Sequence, residues 1–110
     1  MSRSSTITAK KVRKAELLHN PHAGEILFEE FMKPMGITQN ALARAIGVSP
    51  RRINEIVNGR RAVTADTDLR LARYFGVSEG IFLGLQADYE LMERRRQIAG
   101  ELKAIAPRAA

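Results

Sequence analysis

The sequence predicts an all-α domain of about five helices, and three observations predict it. Apolar residues recur at three- and four-residue spacing along most of the chain. Gly36, Gly47 and Gly76 stand just after such stretches and Thr38, Ser49, Thr64 and Ser78 just before them, where helices are closed and capped. The 110 residues suffice for one modest core but not for two.

Taken in order, residues 1–20 read as a basic flexible arm that either lies on a polyanion or a partner, or is simply a solvated tail. Within it KKVRKAELL, at 10–18, could form a short helix. Asn20-Pro21-His22 breaks the chain. A first helix then runs from Gly24 to Met35, with Ile26, Leu27, Phe31 and Met35 inward and Glu25, Glu29 and Glu30 outward, and Pro34 and Gly36 close it. Thr38 caps a helix reaching Ile46, with Leu42, Ala43 and Ile46 inward and Gly47 in the left-handed conformation at its end. Ser49 caps the next, with Pro50 pre-set at its first position. Thr64 caps a helix to Phe75, with Asp66 and Asp68 in its first turn and Leu69, Ala72 and Phe75 toward the core. Gly76 ends it, and Ser78 caps the last helix, whose stripe of Phe82, Leu85, Tyr89 and Met92 is shared between the core and a dimer interface. Residues 21–92 thus form the domain, and 93–110 a helical extension that frays, its Arg94-Arg95-Arg96 run a solvated face.

The helix after Ser49 carries the functional signal. At about 100° per residue, Ile53, Ile56 and Val57 share one apolar side. Arg51, Glu55 and Asn58 lie opposite, flanked by Arg52 and Asn54. That outer face holds the groups that read base edges: arginine grips guanine through two bonds, asparagine grips adenine, and glutamate accepts from cytosine. Counting from Gln39, a small residue at the fifth position, glycine at the ninth and Ile53 at the fifteenth reproduce the spacing of a phage-repressor type helix-turn-helix at about 38–58. Thr38 and Gln39 then offer the start of its first helix to a phosphate. Arg60 and Arg61 add positive charge where the chain leaves the groove.

Charge distribution agrees. The formal net charge is +6, with five basic residues against Glu16 in 1–20 and five against Glu55 in 38–61. The stretch 62–110 is balanced at seven of each sign, and 21–37 is mildly acidic. Such concentration suits DNA. A membrane surface is disfavoured because the basic faces lack a broad apolar side, and the longest apolar run, near Ile81 to Leu83, is too short to span a bilayer. There is no cysteine, so no disulfide framework or thiolate zinc site, which fits the cytoplasm. The N-terminus is basic and Ser/Thr-rich like a transit peptide but lacks an apolar signal core. His19 and His22 are separated by Pro21 and have no third ligand, so no metal is expected. No nucleophile-base arrangement, phosphate-cradling loop or carboxylate pair argues for an enzyme, and no cofactor is expected.

From about Asn20 to Leu91 the sequence resembles the HigA-type, or virulence-associated protein I-like, antitoxins within the Cro and phage-repressor helix-turn-helix class. The matching stretches are GEIL at 24–27, PMGITQNALARAIGV at 34–48, RRINEIVNGRRAVTADTDLRLARYFGVS at 51–78 and LQADYEL at 85–91. The resemblance implies a five-helix, lambda-repressor-like, dimeric DNA-binding protein of the cytoplasm and its nucleoid. Such a protein represses its own operon and neutralises a small RelE-like ribonuclease toxin; the alternative is a solitary regulator without a toxin. By the same analogy the DNA contacts are Gln39, Ser49, Arg51, Arg52, Glu55 and Asn58, with Arg60 and Arg61 on the backbone. Two departures stand out. Ala23 replaces a frequent proline, and SEGIFLG at 78–84 replaces a Ser-Pro-Glu-Phe-Trp-like run, with Phe82 for tryptophan and Gly80 and Gly84 weakening the helix.

Overall fold

In the computed structural model, which describes residues 19–109, every regular element is helical. The arm at 1–18, with its short helix at KKVRKAELL, lies outside the described residues. The first rod is continuous but not uniform: α1 (Ala23–Ile26) passes into a π-helical segment, Leu27–Met32, and then into α2 (Lys33–Met35). There follow α3 (Gln39–Ile46), α4 (Pro50–Val57), α5 (Ala65–Phe75), α6 (Ile81–Gln97) and α7 (Ala99–Ala104).

The π-helical segment corrects the wheel drawn for the first helix. A π-turn takes an extra residue, so the buried side chains there are Leu27 and Met32, five apart, and Phe28 and Phe31 pack beside them. Met35, placed inward by a regular 3.6-residue period, is 57% exposed. A second phase error occurs in α5. Leu69 faces solvent, and the inward side consists of Thr67, Asp68, Leu71 and Ala72. Ala72 is buried and Phe75 packs against the core as expected, but half of the buried face is polar, and apolar periodicity passes over Thr67 and Asp68.

The other sequence expectations for the helix-turn-helix hold. Thr38 and Ser49 accept hydrogen bonds from the amides of Ala41 and Arg52, both at 3.1 Å. Gly47 is left-handed at φ 75°, and the Val48 amide reaches back to the Ala43 carbonyl. Leu42, Ala43 and Ile46 meet Ile53 and Ile56 in one core. Ala43 has no exposed surface, consistent with a small side chain letting α3 and α4 close on each other.

Two further constraints fix α4 against the domain. Gly24 of α1 lies so close to α4 that a β-carbon there would overlap the Ile56 carbonyl oxygen. The loop after α4 is held to α6 by one side-chain amide: Gln86 accepts from the Val63 N–H at 2.6 Å and donates to the Val63 carbonyl at 3.0 Å.

The start of α6 is a correction. Ser78 does not cap it. The helix begins after Gly80, and its free amides are taken by the buried carboxylate of Asp68 from α5: Gly80 N–H at 2.6 Å, Phe82 N–H at 2.8 Å and Leu83 N–H at 3.0 Å. Helix N-termini favour negative charge and expose unsatisfied amides, and one carboxylate here meets both needs. Phe82, expected at a dimer interface, is fully buried and clusters with Phe31 and Phe75, its ring centroid 5.1 Å from that of Phe31. It belongs to the domain's own core because Asp68 draws the first turn of α6 inward.

Two substitutions test this architecture. Asp68→Ala leaves three N–H groups without their acceptor and should cost on the order of 3 kcal/mol in urea unfolding, with Asp68→Asn intermediate because it keeps one acceptor oxygen. Gly24→Ala should cost about 1–3 kcal/mol by pushing α1 off α4. An unchanged melting temperature for the alanine variant would mean that the two helices are not in contact.

Candidate nucleic-acid interface

The outward side of α4 is held together by its own polar side chains. Arg51 and Asn54 are exposed, and Asn54 donates to the Gln39 side-chain oxygen at 3.0 Å, tying the middle of α4 to the start of α3. Asn58 ends the helix and donates from its side chain to the Asn54 carbonyl at 2.9 Å. Glu55 takes Arg51 Nε at 3.0 Å on one oxygen and Arg61 Nε at 2.8 Å on the other. The Arg61 hydrogen bond first, and then that of Arg51, hold the Glu55 carboxyl below the usual carboxylate value, so it remains ionised as the medium turns mildly acidic.

Sequence placed ten residues on this surface, and the structure gathers most of them. Thr38, Gln39, Ser49, Arg51, Asn54, Glu55 and Asn58 lie along the N-terminal edge of α3 and the outer face of α4, with Arg60 and Arg61 in the turn that follows. Thr38 and Ser49 spend their hydroxyls on capping. Arg52 is the one that turns away. Its guanidinium donates to Asp66 at 3.1 Å and reaches Thr67 at 3.4 Å, both on α5.

Two residues of α5 support this surface: Asp66, expected only as an acid of the first turn, and Arg70, to which the sequence assigned no role. Asp66 receives Arg52 and also Arg70, the latter at 2.9 Å, and Arg70 donates on to the Ile46 carbonyl at 2.8 Å at the end of α3. Arg70 chiefly, with Arg52 behind it, keeps the Asp66 carboxyl below its ordinary value against the opposing effect of burial. The i to i+4 spacing of Asp66 and Arg70 was visible as a signal. The long reach of Arg70 to α3 and of Arg52 to α5 was not.

The local electrostatics argue against a purely structural surface. Arg51 and Arg52 occupy the first turn of α4, where the helix dipole disfavours cations and where no acidic residue stands. A chain selected for stability alone gains little from Arg51, whose side chain is 84% exposed and whose ion pair with Glu55 runs in the less favourable direction. The histidines have other employment: His19 meets the Glu25 carboxylate at 2.9 Å, and His22 accepts from the Glu25 amide at 3.2 Å to cap α1. Among the described residues no helix is long and apolar enough to cross a membrane.

A helix-turn-helix family model matches residues 28–82, half the chain. Virulence-associated protein I of Dichelobacter nodosus is 57% identical over 70 residues, 64% of this chain and 65% of the relative, so the match spans slightly under two thirds of that protein. Antitoxin HigA-1 of Vibrio cholerae is 36% identical over 84 residues, 76% of this chain and 79% of the relative. Among solved structures, Pseudomonas aeruginosa antitoxin HigA with the higBA promoter superposes with a TM-score of 0.75 at 36% identity, covering 83% of this chain and 100% of that one. Antitoxin GraA in complex with its operator superposes with a TM-score of 0.74 at 37% identity, covering 84% and 93%. The chain belongs to the HigA-type antitoxin family of helix-turn-helix DNA-binding regulators, a family of binders and not of enzymes.

Proposed function

We propose that this protein binds a DNA operator as a homodimer, represses its own operon, and neutralises a small RelE-like ribonuclease toxin in the cytoplasm. The observation that carries the DNA reading is the exposed Arg51 at the start of α4, set against the helix dipole and beside the exposed Asn54 and Asn58. Two relatives of the same fold are described with promoter or operator DNA, which supports placing α4 in a major groove. In this reading Arg51, Asn54 and Asn58 face base edges. Thr38, Gln39 and Ser49 present helix starts to phosphates, and Arg60 and Arg61 neutralise backbone charge. Arg52 acts through Asp66 to set the angle of α4. The dimer forms through Leu85, Tyr89 and Met92, the half-buried residues of the α6 stripe. The antitoxin names of the relatives support the toxin partner.

Arg51→Ala should lose about 1–3 kcal/mol on the cognate site and relax preference at one base pair, whereas Arg60→Ala should weaken all sequences alike and lower the salt slope by about one. Equal losses on cognate and random DNA for both variants would remove Arg51 from the reading set. The toxin half of the proposal is checked by tagged pull-down from the native host. A small basic protein in stoichiometric amount, resistant to high salt, is the expected result. Recovery of DNA alone, released by salt, would leave a solitary regulator.

A further inference from the structure

The carboxylate of Glu55 is built differently from the rest of the reading face. Its neighbours Arg51, Asn54 and Asn58 are exposed, but the Glu55 side chain retains only 21% of its surface. Each of its oxygens already takes a guanidinium N–H, Oε2 from Arg51 and Oε1 from Arg61. With one bond already on each oxygen and most of its surface covered, the carboxylate has little acceptor capacity left for a cytosine amino group. Left bare beside DNA, its charge would oppose the phosphates.

The geometry at the arginines is complementary. Both are gripped at Nε, the inner edge of the guanidinium, and neither makes another hydrogen bond among the described residues. The two terminal nitrogens of each therefore remain available. A guanidinium fixed at Nε with its terminal pair outward is the form that grips guanine through two bonds, and fixing it beforehand removes rotamer freedom that binding would otherwise have to remove. The sequence order also bears on this. Arginine four residues before glutamate is the less favourable direction for a helical ion pair, and Arg51 additionally opposes the dipole, so the pair adds little to the helix itself. Arg61, arriving from beyond the turn at Gly59, makes Glu55 a bridge between the helix and the chain that leaves it.

We infer that Glu55 is a positioning residue for base readout: its carboxylate does not contact a base but holds Arg51 aimed at one base pair and Arg61 at the adjoining backbone. This rests on the DNA-reading function proposed above. It replaces the direct cytosine contact expected from residue type.

The test uses the full chain and a duplex selected from a randomised library by the wild-type protein, together with every single-base-pair variant of that duplex. Glu55→Ala, Glu55→Gln, Arg51→Ala and the double Glu55→Ala/Arg51→Ala are compared by binding titration, with unfolding curves confirming that each is folded. If Glu55 positions Arg51, Glu55→Ala loses about tenfold on the selected duplex. It also flattens preference at the same base pair as Arg51→Ala, and at that base pair the double variant is no flatter than Arg51→Ala alone, any further loss being the sequence-independent one from Arg61. Glu55→Gln, which keeps one acceptor oxygen, falls between wild type and Glu55→Ala. Three results overturn the inference. Loss of preference at a different base pair, additive with Arg51→Ala, makes Glu55 a direct reader. Uniformly tighter binding to all duplexes, with the preference intact, makes it only a repelling charge. Failure of the wild type to select any sequence removes base readout altogether, and with it both this inference and the sequence-specific function on which it rests.

Discussion

The carboxylate of Asp68 is the constraint on which the arrangement of this domain depends. It is buried, and it satisfies three amides at the start of α6, a helix that has no capping side chain of its own. Without it the Gly80 turn would leave polar groups unpaired next to an apolar core, an arrangement folded proteins avoid. With it, Phe82 is drawn into the ring cluster of Phe31 and Phe75, and α6 is set at a fixed angle to α5. That angle in turn places Gln86 opposite Val63 and Tyr89 beside His22, so the loop after α4 and the start of α1 inherit their positions from one charged group.

α5 therefore works on both sides. Asp68 faces inward and fixes α6; Asp66, two residues earlier, faces outward and collects Arg52 from α4 and Arg70, which continues to the end of α3. The outer network is exposed and contributes modestly to stability, as surface ion pairs do. Its effect is geometric. Three helices whose apolar contacts would tolerate some sliding are given one registration, with α4 standing where its outer face is presented without obstruction. A similar pairing recurs on the outer face of α4, where Glu55 takes both Arg51 and Arg61.

How much of this was legible in the sequence follows from what kind of signal each feature carries. The helix-turn-helix was fully legible, because its caps, its glycine and its apolar stripe are local and obey one period. The first rod was legible in extent but not in phase, since nothing in Leu27 to Met32 announces an extra residue per turn. α5 misled for a complementary reason: its inward face uses Thr67 and Asp68, and periodicity counts only apolar residues. Ser78 looked like the cap of α6 because its type and place were right, while the acceptor in use lies ten residues earlier on another helix. On the outer face of α4 the placement of the side chains was legible and their partners were not. Arg52 has the same side chain and nearly the same place as Arg51, and only the proximity of Asp66 and Thr67 turns it from the outer face toward α5.

In the proposed function, that contrast between adjacent arginines separates reading from support. Cations at a helix start are unfavourable, and two in succession more so, unless each finds a compensating carboxylate. Here both do, but the compensations differ in direction. Arg52 is paired through a terminal nitrogen to a carboxylate on a neighbouring helix, which uses the end of the guanidinium that a base would need. Arg51 is paired through Nε to a carboxylate on its own helix, which leaves that end outward. The same residue type, one position apart, is thereby committed to holding α4 in one case and to reaching beyond it in the other. The choice is made not by the arginine but by where its carboxylate stands.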